Sequence, residues 1–499
     1  MLLKLMVHFL TNTNYELQRD AYLYLAMGYH PDLGYMSVPP SIAFIGAFMR
    51  LIFGDSVFAV RLAPALVGAF SVMLIGMLIR ELGGKGWAIA IGCMAFITSP
   101  AFLRSNTLFQ PVTFNQFYWL LSAYFLLRLI KKQEPRYWVI IFSIWGLAFL
   151  NKYSIVFFAF SIVLAFIIMR KRELILNKYF AAGIAIGFFI VLPNLIWQYS
   201  HNWPVVHHML DLQASQLVHV RIIDFLYMQI LMNFPQLFVW VSGLVFFMIL
   251  KEGSTGRLFA YAYFILMLTF LILRGKAYYT LGIYPVFFAG GAVAIELWSR
   301  RAVILKSLAI PVMVVLLLPI LPFGLPMLKP GPMVIYDKSV ESIGLGEVLR
   351  WEDGQIHSLP QDYADMVAWE ELAGIVINTY QQLSPEEQKQ TGIFAENYGE
   401  AGAIKYFGKK YQLPEPISFS DSFLFWAPDS VRSKTLIYVN DDSSDVNYFF
   451  EQVIKVGQIE NPYARESGMP VYLCRGARNQ FGEFYHQKVT ELKAVYRRE

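Results

Sequence analysis

Residues 58–79 read FAVRLAPALVGAFSVMLIGMLI, and this stretch carries one charged side chain, that of Arg61. A helix that crosses the hydrocarbon core of a bilayer needs about 20 mostly apolar residues, so the stretch predicts a transmembrane helix. Comparable apolar stretches recur at 87–103, 113–130, 137–151, 153–169, 179–198, 234–250, 258–273, 278–297 and 307–325. The first residues, Met1 to Thr11, are apolar but short, and they are expected to be the stub of a further span. The sequence therefore predicts a mainly α, polytopic membrane helix bundle with about 10–11 spans.

The composition of the whole chain agrees with that interpretation. Of its 499 residues 56% are apolar and 15% are charged, and the mean hydropathy is +0.46. A soluble domain carries about 25% charged residues, and a water-soluble protein of this size could not bury so much apolar surface. The same composition excludes disorder, coiled coil and collagen.

The charges divide the chain into two parts. Residues 1–328 hold 24 Lys and Arg against 11 Asp and Glu, whereas residues 329–499 hold 17 against 25. A basic, apolar part followed by an acidic, more polar part predicts a membrane domain over 1–328 and a soluble C-terminal α/β domain over 329–499. In that tail we expect strands at Gly392–Ala395 and Thr435–Val439, a helix from Ala401, and a helix over Phe449–Val456.

The Lys and Arg residues of alternate loops predict the orientation of the bundle. Cytoplasmic loops are enriched in these residues, and one set of loops holds most of them: Arg80, Lys85, Arg128, Lys131, Lys132, Arg136, Arg170, Lys171, Arg172, Lys178, Lys251, Arg257, Arg300, Arg301 and Lys306. The opposite set, together with the acidic tail, is then expected to face outward, to the periplasm. The turn at 151–153 is tight, so its two flanking spans could instead be one bent helix.

The outward loops carry the candidate site. Segments 12–57 and 198–233 are long, and within them Pro40–Phe53 and Ile222–Asn233 are predicted to be amphipathic helices that lie in the membrane interface. Polar side chains recur at outward span ends: Arg19, Asp20, Arg104, Asn151, Lys152, His201, His207, His208, Arg274 and Lys276. Arg and Lys bind phosphate, and a carboxylate such as Asp20 can act as a general base. Snorkelling side chains and structural ion pairs are the alternative for any one of these residues.

Several reaction classes lack their sequence motifs. The chain has no Walker A sequence, no Rossmann glycine fingerprint, no His-Glu-x-x-His and no Cys-x-x-Cys, which argues against a nucleotide-sugar enzyme, an ATP-driven pump and a zinc protease. Its two cysteines, Cys93 and Cys474, form no disulfide framework or metal cluster in sequence. We therefore expect no cofactor, no metal and no nucleic-acid partner.

Six outward segments resemble those of one family. They are Asn14–Ala26 with Gly34-Tyr35 and Pro39-Pro40; Leu108–Gln116 with Trp119; Gly146-Leu147 with Asn151–Tyr153; Pro193–Gln198 with His201, Trp203 and Pro204; Arg274–Tyr279 with Tyr284-Pro285; and Ile393–Gly402 in the tail. In this order they resemble bacterial membrane glycosyltransferases of the protein mannosyltransferase and lipid A aminoarabinose transferase group, which share the C-type superfold.

The resemblance implies an activity and a site. Such enzymes take a sugar from a polyprenyl-phosphate carrier on the outer side of the bacterial inner membrane and transfer it, with inversion, to a glycolipid, polysaccharide or protein of the cell envelope. Asp20 matches the family's general base. The residues that match donor and phosphate binding are Arg19, Lys152, Arg274, Lys276, Tyr278 and Tyr279, and possible acceptor or pocket residues are Asn115, His201 and Trp203.

This chain departs from the family pattern at three places. Ala21 follows the aspartate where the family has glutamate, Ser37-Val38 precede the Pro-Pro pair where the family has Asp-His or Lys, and Asn115 stands where an acidic residue is common. Three alternatives to an active enzyme therefore stay open: a glycolipid transporter, a catalytically inactive paralogue, and a structural or assembly subunit.

Overall fold

The computed structural model describes residues 1–342, 344 and 346–497. The α-helices before residue 328 are α1 (Leu2–Leu10), α2 (Arg19–Met27), α3 (Ser41–Phe53), α4 (Val57–Glu81), α5 (Gly86–Ile97), α6 (Pro100–Ser105), α7 (Pro111–Lys132), α8 (Tyr137–Phe149), α9 (Ile155–Ile168), α10 (Arg172–Ile175), α11 (Lys178–Ser200), α12 (Pro204–Ser215), α13 (Ile222–Leu231), α14 (Leu237–Met248), α15 (Arg257–Ile272), α16 (Tyr284–Trp298), α17 (Ile304–Leu317) and α18 (Leu321–Gly324).

The remaining part of the chain mixes helices and strands. Its helices are α19 (Pro330–Ser342), α20 (Gln361–Ala364), α21 (Trp369–Gln381), α22 (Pro385–Gln388), α23 (Tyr398–Gly408), α24 (Phe423–Trp426), α25 (Ser444–Asn447) and α26 (Asn479–Ala494). Its strands are β1 (Thr391–Ala395), β2 (Thr435–Val439), β3 (Phe450–Gln458) and β4 (Pro470–Ala477). The predicted class, a helical membrane protein with an α/β region toward its C-terminus, is thereby confirmed.

Five helical segments in the described chain are long and apolar enough to cross a membrane. They are Val57–Glu81, Lys178–Ser200, Ser254–Ile272, Ala277–Trp298 and Ile304–Gly324. A sixth results if Ile222–Leu231 and Phe234–Met248, which are bent by 67° at a short break, count as one span. The predicted spans 87–103, 137–151 and 153–169 correspond to the shorter apolar helices α5, α8 and α9. A turn at residues 150–154 separates α8 from α9.

The chain divides into two units, each built from segments that are distant in sequence. Unit 1 comprises Met1–Asn12, Arg61–Leu195 and Leu212–Met327, and unit 2 comprises Thr13–Val60, Ile196–Asp211 and Leu328–Glu499. The predicted membrane domain, 1–328, and the predicted periplasmic domain, 329–499, are continuous stretches. In the structure Thr13–Val60, which is most of the predicted first outward loop, belongs to the same unit as the tail.

Unit 1 is held together by closely packed apolar helices. A Cβ atom added to Gly291 of α16 would lie 1.8 Å from the carbonyl oxygen of Val239 in α14, so only glycine allows these two backbones to approach so closely. Small residues serve this purpose at helix contacts in membranes. The ring of Trp119 stacks on that of Phe158 with their centroids 4.6 Å apart, and both side chains are fully buried. The packing gives the span ends of unit 1 defined positions.

Unit 2 is organised around a four-stranded sheet with the strand order β1-β2-β4-β3. β1 and β2 are parallel, with Thr391 opposite Thr435 and Ala395 opposite Val439. β4 pairs antiparallel with both β2 and β3. Because β1 and β2 are parallel, their carboxyl ends lie at the same edge of the sheet, and β1 leads there into α23.

The structure corrects one predicted element of the tail. Phe449–Val456 was expected to be a helix, because Phe449, Phe450, Val453 and Val456 recur at helical spacing, but Phe450–Gln458 is the strand β3. Its hydrogen bonds go to β4, a strand that the sequence did not indicate. Pairing with a distant strand has overridden the local pattern, as it often does in short apolar stretches.

Candidate functional site

Asp20 lies in the first turn of α2, in unit 2. The Gln18 side chain caps this helix by accepting a hydrogen bond from the Asp20 backbone N–H over 2.9 Å, so the local sequence determines where the helix begins. The hydroxyl of Tyr398 donates a hydrogen bond of 2.8 Å to Asp20 Oδ1. The Asp20 side chain is half-buried. The carboxylate is therefore held in position and remains partly accessible to solvent.

The surroundings of Asp20 shift its pKa in opposing directions. Desolvation raises the pKa of Asp20 above its usual value, while the hydrogen bond from Tyr398 and the positive charge of Arg19 lower it. Neighbouring carboxyls at Glu352 and Asp362 raise it further. Since the net shift of the pKa is upward, this carboxylate is a better proton acceptor than an exposed aspartate.

Arg19 is placed beside the same tyrosine. Its guanidinium carbon lies 4.6 Å from the centre of the Tyr398 ring, within the range of a cation–π interaction. Its Nε atom lies 4.0 Å from Glu466 Oε1, and both side chains are 15% exposed. Asn397 donates a hydrogen bond of 3.4 Å to the same oxygen of Glu466. Arg19 is thus part of an ionic group within unit 2.

Asp365 secures the chain just before Asp20. Its backbone oxygen accepts a hydrogen bond of 3.0 Å from the Arg19 N–H, and its carboxylate accepts hydrogen bonds from Gln18 Nε2 and Arg465 Nη1 over 3.2 and 3.1 Å. Burial raises the pKa of Asp365 to about 7, against the opposing charge of Arg465. The Gln18–Arg19 segment is therefore fixed by backbone and side-chain bonds together.

Glu16, four residues before Asp20, also fixes the segment that leads into α2. Its Oε2 atom accepts hydrogen bonds from the backbone N–H groups of Trp369 and Glu370 over 2.7 and 3.0 Å. These are N–H groups of the first turn of α21, which would otherwise lack partners. Burial raises the pKa of Glu16 to about 7. The segment before α2 thus contacts a helix of the tail within unit 2.

The second group of predicted residues lies in unit 1 and centres on Lys152. The Lys152 ammonium is 5.9 Å from the ring centre of Tyr278 and 5.6 Å from that of Tyr279. Two residues after Lys152, the Ser154 hydroxyl accepts a hydrogen bond of 3.3 Å from the buried Asn115 side chain. The structure therefore brings Lys152, Tyr278 and Tyr279 together, while Asn115 bonds the residue two positions after Lys152.

The other predicted residues occupy separate positions. In unit 1, Lys276 donates a hydrogen bond of 2.6 Å to Gln216, and Arg274 is exposed with a backbone φ of 51°. In unit 2, His201 stacks on Trp197 at a centroid distance of 4.1 Å, and Trp203 is 38% exposed. His201 and Trp203 remain predictions as pocket residues.

The sequence prediction did not single out Tyr398, although this residue touches Asp20 directly. Asn397 and Glu400 form a capping box at the start of α23, with the Asn397 side chain accepting from the Gly399 and Glu400 N–H groups. An Asn-x-x-Glu spacing after a predicted strand is a recognisable helix start, and it would have placed Tyr398 at the first helical position. Its partner could not have been inferred, because Asp20 is 378 residues away.

Three comparisons with known proteins bear on these two groups. Residues 37–197 match the family model described as dolichyl-phosphate-mannose-protein mannosyltransferase. A curated relative, the lipid A galacturonosyltransferase RgtD of Rhizobium johnstonii, is 25% identical over 185 residues, which make up 36% of this chain and 38% of the relative. The match thus spans well under half of that relative's length.

The fold is also that of a solved protein. Crystal structures of ArnT from Cupriavidus metallidurans, bound to undecaprenyl phosphate and in the apo state, both match with a TM-score of 0.64 and cover 94% of this chain and 96% of ArnT. Their sequence identities are 14% and 15%, so this likeness concerns the fold. The family model, the relative and the fold agree with the resemblance found in the six sequence segments: the chain is similar to membrane glycosyltransferases such as RgtD, and it has the fold of ArnT.

Proposed function

We propose that this protein transfers a sugar from a polyprenyl-phosphate carrier to an acceptor hydroxyl of the cell envelope, with inversion at the anomeric carbon and with Asp20 as the general base. The observation that carries the proposal is the setting of Asp20, a half-buried carboxylate with a raised pKa that Tyr398 and the helix start hold in place. A general base of this kind contributes about 10²–10⁴-fold to a reaction rate.

The reaction needs two kinds of assistance. The acceptor oxygen attacks the anomeric carbon as its proton passes to the Asp20 carboxylate, and the bond from that carbon to the phosphate oxygen breaks with its electron pair going to the lipid phosphate. Because the transition state resembles an oxocarbenium ion, stabilising the negative charge of the departing phosphate lowers the barrier as well. Lys152, held over the rings of Tyr278 and Tyr279, is the residue that we assign to the phosphate.

The comparisons suggest which substrates to try first. RgtD is named for galacturonic acid and lipid A, and a crystal structure of ArnT holds undecaprenyl phosphate. We therefore propose lipid A as the first acceptor and an undecaprenyl-phosphate-linked sugar as the donor. The excess of Lys and Arg in one set of loops favours a cytoplasmic position for those loops. Because the proposed site lies in the opposite set of loops, we propose that the reaction takes place on the outer face of the bacterial inner membrane.

The test is sugar transfer by the purified full chain in proteoliposomes that contain lipid A. The donors are undecaprenyl phosphates that carry galacturonic acid, aminoarabinose or mannose, and the product is glycosylated lipid A measured by mass spectrometry. We expect the D20N substitution to lower kcat by about 10²-fold or more. The matched control is D32N, because Asp32 is an exposed aspartate of the same loop. Transfer that is equal in D20N and the unsubstituted protein would remove Asp20 as the base.

The same assay separates the alternatives. Movement of a labelled glycolipid across the vesicle membrane without formation of a new glycosidic bond would indicate a transporter. Absence of both transfer and movement with all three donors would indicate an inactive paralogue or an assembly subunit.

A further inference from the structure

Tyr398 comes from the part of the chain that the sequence assigns to a separate domain, yet its hydroxyl lies 2.8 Å from Asp20 Oδ1. It is the first residue of α23, directly after the loop that follows β1. Its ring is also the surface on which the Arg19 guanidinium lies. A single tyrosine therefore contacts both of the charged residues at the start of α2.

The position of Tyr398 is determined by packing that does not depend on Asp20. The capping box formed by Asn397 and Glu400 fixes the first turn of α23. One turn later, a Cβ atom added to Gly402 would lie 2.8 Å from Tyr22 Cβ, so α23 approaches α2 as closely as backbones allow. The Tyr22 ring also contacts that of Trp369, at a centroid distance of 5.7 Å. The tyrosine hydroxyl is thus presented to the carboxylate by a prearranged contact between two helices.

A hydrogen bond from a neutral donor orients a carboxylate without forming an ion pair. An ion pair with arginine lowers the pKa of an aspartate by about 1–3 units, which weakens it as a proton acceptor. Here the Arg19 Nε atom faces Glu466, and Asp20 receives its hydrogen bond from an uncharged phenol. This hydrogen bond and the charge of Arg19 both lower the pKa of Asp20, but desolvation outweighs them and keeps the pKa above its usual value. Desolvation and the charge of Asp20 hold the pKa of Tyr398 well above its usual value, so the phenol remains a donor at neutral pH.

We propose that Tyr398 is a positioning residue for Asp20: through the hydrogen bond to Oδ1 it fixes the orientation of the carboxylate toward the acceptor hydroxyl and favours its ionised form. This inference rests on the proposed function, in which Asp20 takes the acceptor proton. It extends the site to the C-terminal segment of unit 2, which then takes part in the proposed reaction.

The inference predicts a change in the pH dependence of the reaction. Several titratable or charged groups interact with Asp20: Arg19 and Tyr24 on its own helix, Glu352, Asp362 and Asp365 from the segment before α21, and Tyr398 from α23. Of these, Tyr398 donates the hydrogen bond of 2.8 Å to the carboxylate. Removing this donor destabilises the ionised carboxylate, so the pKa of Asp20 rises and the acidic limb of the pH–rate profile moves to higher pH.

The experiment compares the unsubstituted protein with Y398F, in which the ring is kept and the hydroxyl is lost. Using the full chain in proteoliposomes, kcat, donor KM and the pH–rate profile are measured with undecaprenyl-phosphate-linked galacturonic acid and lipid A. We expect kcat to fall about tenfold or more, as for the loss of a hydrogen bond to a charged group. The acidic limb should move upward by about one pH unit, while donor KM stays unchanged. Y448F is the control, because Tyr448 is 62% exposed in the same unit.

The outcomes separate this inference from the proposed function. If D20N abolishes transfer and Y398F has an unchanged kcat and pH–rate profile, the role of Tyr398 is overturned and the proposed base stands. If Y398F loses activity by the same factor at every pH and melts at a lower temperature, Tyr398 is structural and the inference fails. If D20N is fully active, the base itself is wrong and the inference falls with it.

Discussion

Lys152 is the residue whose assignment depends most on geometry rather than on sequence type. The chain has 41 lysines and arginines, and 15 of them are expected to orient the bundle. What distinguishes Lys152 is that two tyrosine rings, 126 and 127 positions further along the chain, lie within 6 Å of its ammonium. The ring faces attract the ammonium electrostatically, and an ammonium binds a phosphate as a point charge.

The substitution K152M tests this assignment, because methionine keeps an unbranched stem and removes the charge. We expect kcat/KM for the lipid-linked donor to fall about 10–100-fold, which corresponds to the loss of a hydrogen bond to a charged group. K306M is the matched control, since the Lys306 ammonium also lies over an aromatic ring, that of Trp87, at 5.6 Å. An equal loss in both variants would show that removing any such lysine harms the protein, and Lys152 would have no special role.

The junction between β1 and α23 is the element on which the proposed site depends. β1 agrees within one residue with the predicted strand, and β2 agrees at both ends. The helix after β1 begins at Tyr398, three residues before the predicted start, because the capping box at Asn397 and Glu400 starts it early. Interpreting the strand–helix boundary as a cap would therefore have brought Tyr398 into the site prediction.

The N397A substitution should affect both stability and activity. Loss of a capping side chain costs about 1 kcal/mol of folding free energy, and here it also loosens the turn that presents the Tyr398 hydroxyl. S384A provides the comparison, because the Ser384 side chain caps α22 by accepting from the Glu387 N–H. We expect similar losses of stability by thermal unfolding in the two variants and a lower kcat only in N397A. A kcat that falls equally in both would mean that stability alone governs activity.

At the scale of the whole molecule, the division into units is the part that the sequence did not predict. Charge and hydropathy place a boundary near residue 328, and unit 2 does include the chain from Leu328 onward. That unit also contains Thr13–Val60 and Ile196–Asp211, whose membership depends on contacts such as those from Glu16 to Trp369. Composition is a property of continuous stretches of chain. It therefore does not reveal contacts between residues more than 300 positions apart.

Buried carboxyls give unit 2 a stability that depends on pH. Burial raises the pKa of Glu400, which is fully buried, from 4.5 to about 8. The folded state therefore holds a proton that the unfolded state releases between these values, so this contribution to stability is complete below about pH 4.5 and is lost as the pH rises toward 8.

The E400Q substitution should reduce this dependence. Glutamine stays neutral at every pH and can still accept the hydrogen bond from the Asn397 N–H. We expect the decrease in melting temperature of the full chain between pH 5 and pH 8 to be smaller in E400Q than in the unsubstituted protein. E483Q is the control, because Glu483 is exposed on α26. An unchanged decrease in E400Q would show that Glu400 is already ionised in the folded protein.

The three-segment composition of unit 2 has a consequence for the order in which the protein matures. A ribosome makes Asp20 before Tyr398, which lies 378 residues further along the chain. During that interval the nascent first loop lacks the helices that Glu16 and Asp20 contact in the finished protein. The surroundings of Asp20 are therefore completed late, after the described apolar spans up to Gly324 have been synthesised, and a chain that terminates before α23 would lack the finished arrangement around Asp20.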